Sequence, residues 1–226
     1  MQSAHAGNFP KESENLINKL INLCWSIEQT YLTMSAACAG DEISMLGFSE
    51  YFRLCCNRMR AVADKLCQFL TIRGGRLTMG EVHSLIQIAS CGDCTVEKFM
   101  HMALDMEKQF EEKLSELCGV AKNVNDLLTA EYIESSLLLH QIHALRITLN
   151  HVNGLKACEN PWMYDTMTMK PLVREIYELI GCGRMGNTCS GIIDTTSTTG
   201  VSRSTNGCGR MPASESLQSF ACCLRQ

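Results

Sequence analysis

The sequence predicts an all-α protein built as a four-helix bundle with one long crossover. Three observations carry this reading. Residues 11–160 contain no proline, apolar residues recur every three or four positions in four separate runs, and glycines fall between those runs.

In the first run Leu16, Leu20, Leu23, Ile27, Tyr31 and Met34 share one helical face. In the second, Phe48, Phe52, Cys55, Met59, Val62, Leu66 and Phe69 keep a 4-3-4-3-4-3 rhythm. The third carries Met100, Ala103, Glu107, Phe110, Leu114 and Leu117, and the fourth Leu138, Ile142, Leu145, Leu149 and Val152. Each run is about 25 residues, or roughly 37 Å of helix. The first two runs are joined by about seven residues around Gly40–Gly47, and the last two by a few near Gly119; such short links make antiparallel neighbours. About twenty residues, Arg73–Cys94, separate the second run from the third, enough to travel the length of the bundle.

Beyond Pro161 one more amphipathic stretch follows, with Leu172, Ile176 and Ile180 on a shared face starting near Pro171. Residues 181–226 are rich in Gly, Ser, Thr and Cys. Their few large apolar groups predict a disordered tail.

Composition narrows the function classes. The chain has 226 residues, a formal charge of −4 and 19% charged side chains, without the basic footprint of a nucleic-acid-binding module. No apolar run approaches the roughly 18 residues of a membrane span. The first residues show no export signal, so the expected compartment is the cytoplasm. The fourteen cysteines then read as reduced thiols, with Cys24, Cys38, Cys55 and Cys67 at core spacing. Cys91–Cys94 is the only C-x-x-C pair, and a loop thiol pair is favoured over a zinc site.

Several segments then combine in register. They are Tyr31–Ser35 (Y-L-T-M-S), Gly47–Arg53 (G-F-S-E-Y-F-R), Ala63–Leu66 (A-D-K-L), Arg73–Arg76 (R-G-G-R) and Ala103–Lys108 (A-L-D-M-E-K). Over residues 12–156 these segments resemble the ferritin family. The resemblance implies a ferritin-like diiron-type domain at 8–157, a short fifth helix within 163–180, and the tail at 181–226. It also implies iron (Fe2+/Fe3+) as the handled metal. The partners it implies are other ferritin subunits, in a hollow 24-subunit shell that is homo- or hetero-oligomeric.

The family's oxidation centre uses a glutamate of helix one, an E-x-x-H of helix two, a glutamate of helix three and a glutamine of helix four. Matched through the motifs, these positions are Cys24, Met59 with Val62, Glu107 and Gln141, with Tyr31 nearby. Carboxylate and imidazole suit iron as donors, and here the central pair is apolar. Tyr31, Glu107 and Gln141 are therefore expected to be the remnant of a diiron site, favoured as a satisfied polar cluster over a single-iron site. Cys24 as thiolate and Glu28, one turn on, are the candidates for a rescued centre. The family's mineral-nucleating positions on the inner face of helix two read Asn57, Arg58, Ala61 and Asp64, expected to be a solvated face. Glu131 and Glu134 match the acidic pair that lines the family's threefold entry channel, with Cys118 near its mouth.

The function expected is thus an iron-storage subunit that contributes shell and channel and is catalytically impaired. Two alternatives stand beside it: an iron oxidase with a remodelled site, and a ferritin-derived interaction protein that no longer handles iron.

Overall fold

A computed structural model describes residues 9–85, 95–181 and 215–224 of the chain. Helix α1 (Lys11–Ala39) starts after Pro10, carries Glu12 and Glu14 in its first turn, and ends where the Gly40 N–H returns to Ala36 and Ala37. The acidic first turn suits the positive end of the helix dipole. A short turn leads to α2 (Leu46–Ile72), which runs back along α1 in the most extensive helix pairing of the molecule. Helix α3 (Val96–Asn123) is capped by the Thr95 hydroxyl, which accepts the Lys98 N–H.

Helix α4 (Leu127–Ile133) is capped by the Asp126 carboxylate and passes without a break through a π-helical stretch, Glu134–Leu138, into α5 (Leu139–Ala157). Helix α5 packs on α3, and α1 packs on α3, which closes the bundle. Tyr31, Phe48, Phe52, Phe99 and Phe110 are among the largest side chains buried at its centre. No helix among the described residues is long and apolar enough to cross a membrane.

Two connections hold the ends. At the close of α2, Arg73 donates to Asp126 at 2.9 Å and to Thr129 at 3.2 Å, and its guanidinium lies over the rings of Phe9 and Phe69. Gly74 takes a left-handed φ of 79°. A Cβ on Gly75 would come within 2.7 Å of the Leu70 and Phe9 side chains, which would have to shift to admit it, so the R-G-G-R run is a tight corner. The crossover then runs beside α1: Asn18 exchanges hydrogen bonds with Arg76 and Thr78, and Asn22 with Thr78 and Gly80. The Cys91–Cys94 pair lies outside the described residues.

Past the bundle, α6 (Pro161–Tyr164), a second π-helical stretch (Asp165–Met169) and α7 (Lys170–Ile180) form the expected C-terminal helix. Asp165 is buried and accepts the Gly47 and Phe48 N–H groups at 3.2 and 2.7 Å. It therefore caps the start of α2 from over a hundred residues away.

Two expectations need correction. The tail is not wholly disordered: Glu215–Cys223 forms helix α8, with Leu217, Phe220, Ala221 and Cys223 buried against α5, α7 and α2. Its apolar spacing was diluted by the surrounding Gly, Ser and Thr; residues 182–214 lie outside the described set. The inward face of the fourth helix is also displaced. Ile142 is half exposed and Leu138, Leu145 and Leu149 are only partly buried, whereas Leu137, Gln141, Ala144 and Thr148 point inward. Two of those inward positions are polar, so apolar periodicity alone could not find the face.

Candidate functional site

The middle of the bundle places Tyr31 (α1), Glu107 (α3) and Gln141 (α5) together, as expected. The phenol of Tyr31 donates to Glu107 Oε1 at 2.6 Å. The Gln141 amide donates to Glu107 Oε2 at 2.6 Å and to the Glu107 carbonyl at 3.0 Å.

What unites them was not expected. Arg58, 2% exposed, turns into the bundle, and its Nη2 donates to both Glu107 oxygens, at 2.5 and 2.6 Å. Its Nη1 donates to Gln141 Oε1 at 3.0 Å. The solvated face predicted for Asn57, Arg58, Ala61 and Asp64 is therefore corrected at Arg58. Asn57, Ala61 and Asp64 do line an open groove of about 330 Å³ with Arg60 and Tyr177, but Arg58 has left that surface. The reason is electrostatic. Glu107 is a buried carboxylate in an otherwise apolar stripe, and an unmatched buried charge is far more costly than a paired one.

The signal was present in the sequence. Arg58 sits three residues after Cys55 and four before Val62, at the edge of the buried stripe, and Glu107 demands a cation.

The charges fit one another closely. Burial works against the Arg58 charge, but Glu107 beside it prevails and holds the guanidinium pKa above its ordinary value. Burial, then the Glu107 charge, pushes the Tyr31 phenol well up, so it stays a proton donor. Among buried side-chain polar atoms of the cluster, Arg58 Nε alone is without a hydrogen-bond partner.

This donor set does not fit a diiron centre. The one central carboxylate already has its counter-charge, and Met59 and Val62, both buried, offer no ligand. The rescue by Cys24 and Glu28 is not supported by their surroundings. Burial raises the Cys24 thiol pKa well above normal, although Arg58 opposes it, and metals bind the thiolate. Glu28 is bound instead to Arg60, whose Nε lies 2.8 Å away. Among the described residues no group of three or more His, Cys, Asp or Glu side chains is arranged to hold a metal ion.

At the other candidate site, Glu131 and Glu134 are both exposed, at the junction of α4 with the π-helical stretch. Glu134 pairs with Lys122 and also accepts the Cys118 thiol at 3.3 Å. The lysine was not foreseen, because it lies on α3, twelve residues earlier.

Residues 14–157 match the family model of the ferritin-like domain. The chain is 30% identical over 164 residues to Ferritin-1, chloroplastic, of Pisum sativum, a match covering 70% of this chain and 64% of that protein. It is 30% identical over 166 residues to the ferritin heavy chain of Echinococcus granulosus, covering 72% of this chain and 94% of that protein. The matched region spans a little under two thirds of the chloroplastic relatives' length. With its helical bundle, its ordered motifs and this match across most of its length, the chain belongs to the ferritin family.

Proposed function

We propose that this protein is a non-catalytic ferritin subunit of iron storage, contributing wall and entry channel to a 24-subunit shell whose oxidation chemistry belongs to a partner subunit. The observation that carries the reading is the Arg58–Glu107 pair. A guanidinium fixed between the carboxylate and Gln141 supplies the positive charge that metal would otherwise bring to this place. Tyr31, Glu107 and Gln141 then act as a structural polar cluster that ties α1, α3 and α5 to α2.

Family membership supports iron handling in a multi-subunit shell, and we place that shell in the cytoplasm. The bundle of residues 8–157 would form its wall. Glu131 and Glu134 would draw Fe(II) toward it as a cargo ion, if their copies meet around a threefold axis.

Aerobic Fe(II) oxidation by the purified full chain, with particle mass measured alone and after mixing with a heavy-type ferritin subunit, tests the proposal. Oxidation at the buffer rate and entry into a large particle are expected. Rapid, saturable oxidation lost in Glu107→Ala would overturn the non-catalytic reading. A monomer of about 25 kDa under both conditions would overturn the shell.

A further inference from the structure

The corner between α5 and α6 brings sulfur to the surface. Asn160 shapes it: its side chain accepts the Trp162 N–H at 3.0 Å, and its carbonyl accepts the Tyr164 N–H at 3.1 Å. The half-buried Cys158 donates its thiol to that same carbonyl at 3.3 Å, so its Sγ lies at the foot of the first turn of α6. Above it stand Met163 and Met167, 57% and 72% exposed. They are four residues apart, and about four residues make one turn where α6 passes into the π-helical stretch, so they share a face. Helical side chains lean toward the N-terminus. The Met167 thioether therefore tilts toward Met163, and the Met163 thioether toward Cys158. The inward face is already committed, since Asp165 caps α2 and Met169 is fully buried.

We propose that Cys158, Met163 and Met167 form a surface binding site for a soft monovalent cation of the Cu(I) and Ag(I) class.

The donor chemistry selects the ion. Thiolate and thioether sulfurs are polarisable and suit Cu(I), whereas Mg(II) and Mn(II) prefer the oxygen donors that this trio lacks. One thiolate with two neutral thioethers balances the charge of a monovalent ion. On binding, the Cys158 thiol gives its proton to solvent and exchanges its hydrogen bond to Asn160 for a bond to the metal, with no electron transferred. Exposure of both thioethers lets the ion enter without opening the bundle. The site lies apart from the Arg58–Glu107 pair and takes an ion unlike iron, so it is independent of the storage reading.

Other thiols in the chain would also take up such an ion, so the readout belongs on the thioethers. Hydrogen peroxide passes one oxygen to a free thioether, giving sulfoxide and water, and a thioether whose lone pair is held by a metal reacts more slowly. The full chain, in whatever assembly it forms, is treated with peroxide in nitrate buffer while Ag(I) is raised stepwise past its fourteen cysteines. Sulfoxide at each methionine is followed by peptide mass. Met79 of the crossover, 71% exposed, is the reference for an isolated thioether. Ag(I) should slow oxidation of Met163 and Met167 at least about threefold relative to Met79. Mn(II) should leave all three rates unchanged. Met163→Leu should remove the protection of Met167, and Cys158→Ser should at least halve it. Should Cys158→Ser fold poorly by circular dichroism, the comparison rests on Met163→Leu, which keeps an apolar side chain at an exposed position.

Equal slowing of Met79, Met163 and Met167 overturns the site, as does protection of Met167 that survives Met163→Leu. Slow oxidation of Met163 and Met167 before any silver is added also overturns it, because these side chains would then be covered by another copy of the chain. The rate of Fe(II) oxidation bears only on the storage reading and leaves the silver result standing.

Discussion

Arg58 and Glu107 face one another at the centre of the bundle, with one guanidinium nitrogen within 2.6 Å of both carboxylate oxygens. Each residue is stranded without the other. Arg58→Met should therefore cost about 3–5 kcal/mol, because it leaves a buried carboxylate uncompensated. Combining it with Glu107→Leu should recover most of that loss, since a pair of apolar groups of similar volume needs no counter-charge. Urea unfolding of the four proteins in this cycle gives the coupling directly. Additive losses would mean that the pair is not energetically closed.

The same pair sets the condition for restoring oxidation. Resemblance to the family points to Cys24→Glu, Met59→Glu and Val62→His as the changes that rebuild the ligand set. The structure adds that Arg58 still occupies the Glu107 carboxylate, so this triple variant should remain near the buffer rate of Fe(II) oxidation. Adding Arg58→Gln should give a saturable rate. Activity in the triple variant with Arg58 intact, measured as the early aerobic oxidation rate, would show that the guanidinium gives way to metal.

How far this was legible in the sequence depends on what each residue answers to. The stripes of α1, α2 and α3 follow local periodicity and could be read directly. The remnant positions Tyr31, Glu107 and Gln141 could be read by register with a family. The direction taken by Arg58 could not be read so easily, because it is decided by a carboxylate on another helix, 49 residues away. The inward face of α5 fails for the same reason: Gln141 and Thr148 are held inside by Glu107 and Tyr51 rather than by hydrophobicity. Docking of α8 likewise depends on side chains of α5 and α2.

Gly47 and Asp165 make a second closed pair. A Cβ at position 47 would stand 2.6 Å from Asp165 Oδ1. Gly47→Ala should thus destabilise the protein by about 1–3 kcal/mol through overpacking. Asp165→Ala should cost about 1–2 kcal/mol by uncapping α2. The double variant should cost less than the sum, because the clash disappears with the carboxylate. Thermal unfolding of all three checks this, and strict additivity would contradict the geometry.

Acid sensitivity should have a part that traces to His151. Burial lowers its pKa from 6.5 to about 4, and its ring bonds the Tyr164 hydroxyl at 3.0 Å. The neutral ring's contribution is complete above 6.5 and is lost as pH falls toward about 4. Across that window the unaltered protein should lose up to about 3 kcal/mol more than His151→Phe, which keeps a ring against Tyr51 but cannot be protonated. Equal pH slopes in urea unfolding would place the acid sensitivity elsewhere.

The channel prediction changes once Lys122 is included. If Glu131 and Glu134 line a threefold opening, each copy of Glu134 arrives with an ammonium bound to it, and the field of that ring is partly cancelled. Glu131, one turn earlier, then carries more of the attraction for an entering cation. Replacing both glutamates with Ala should slow iron loading of a mixed shell, and Lys122→Ala alone should speed it by freeing the Glu134 charge. Both effects should shrink as salt rises, since the Debye length is about 8 Å at physiological strength. Glu116→Ala offers a control for general surface charge, as that residue is exposed and paired with Lys113. Loading is followed by iron uptake in shells shown by mass to contain enough of this subunit to form such openings. A slower rate in Lys122→Ala would mean that the lysine orders Glu134 rather than masking it. Unchanged rates in every variant would make these residues ordinary helix surface.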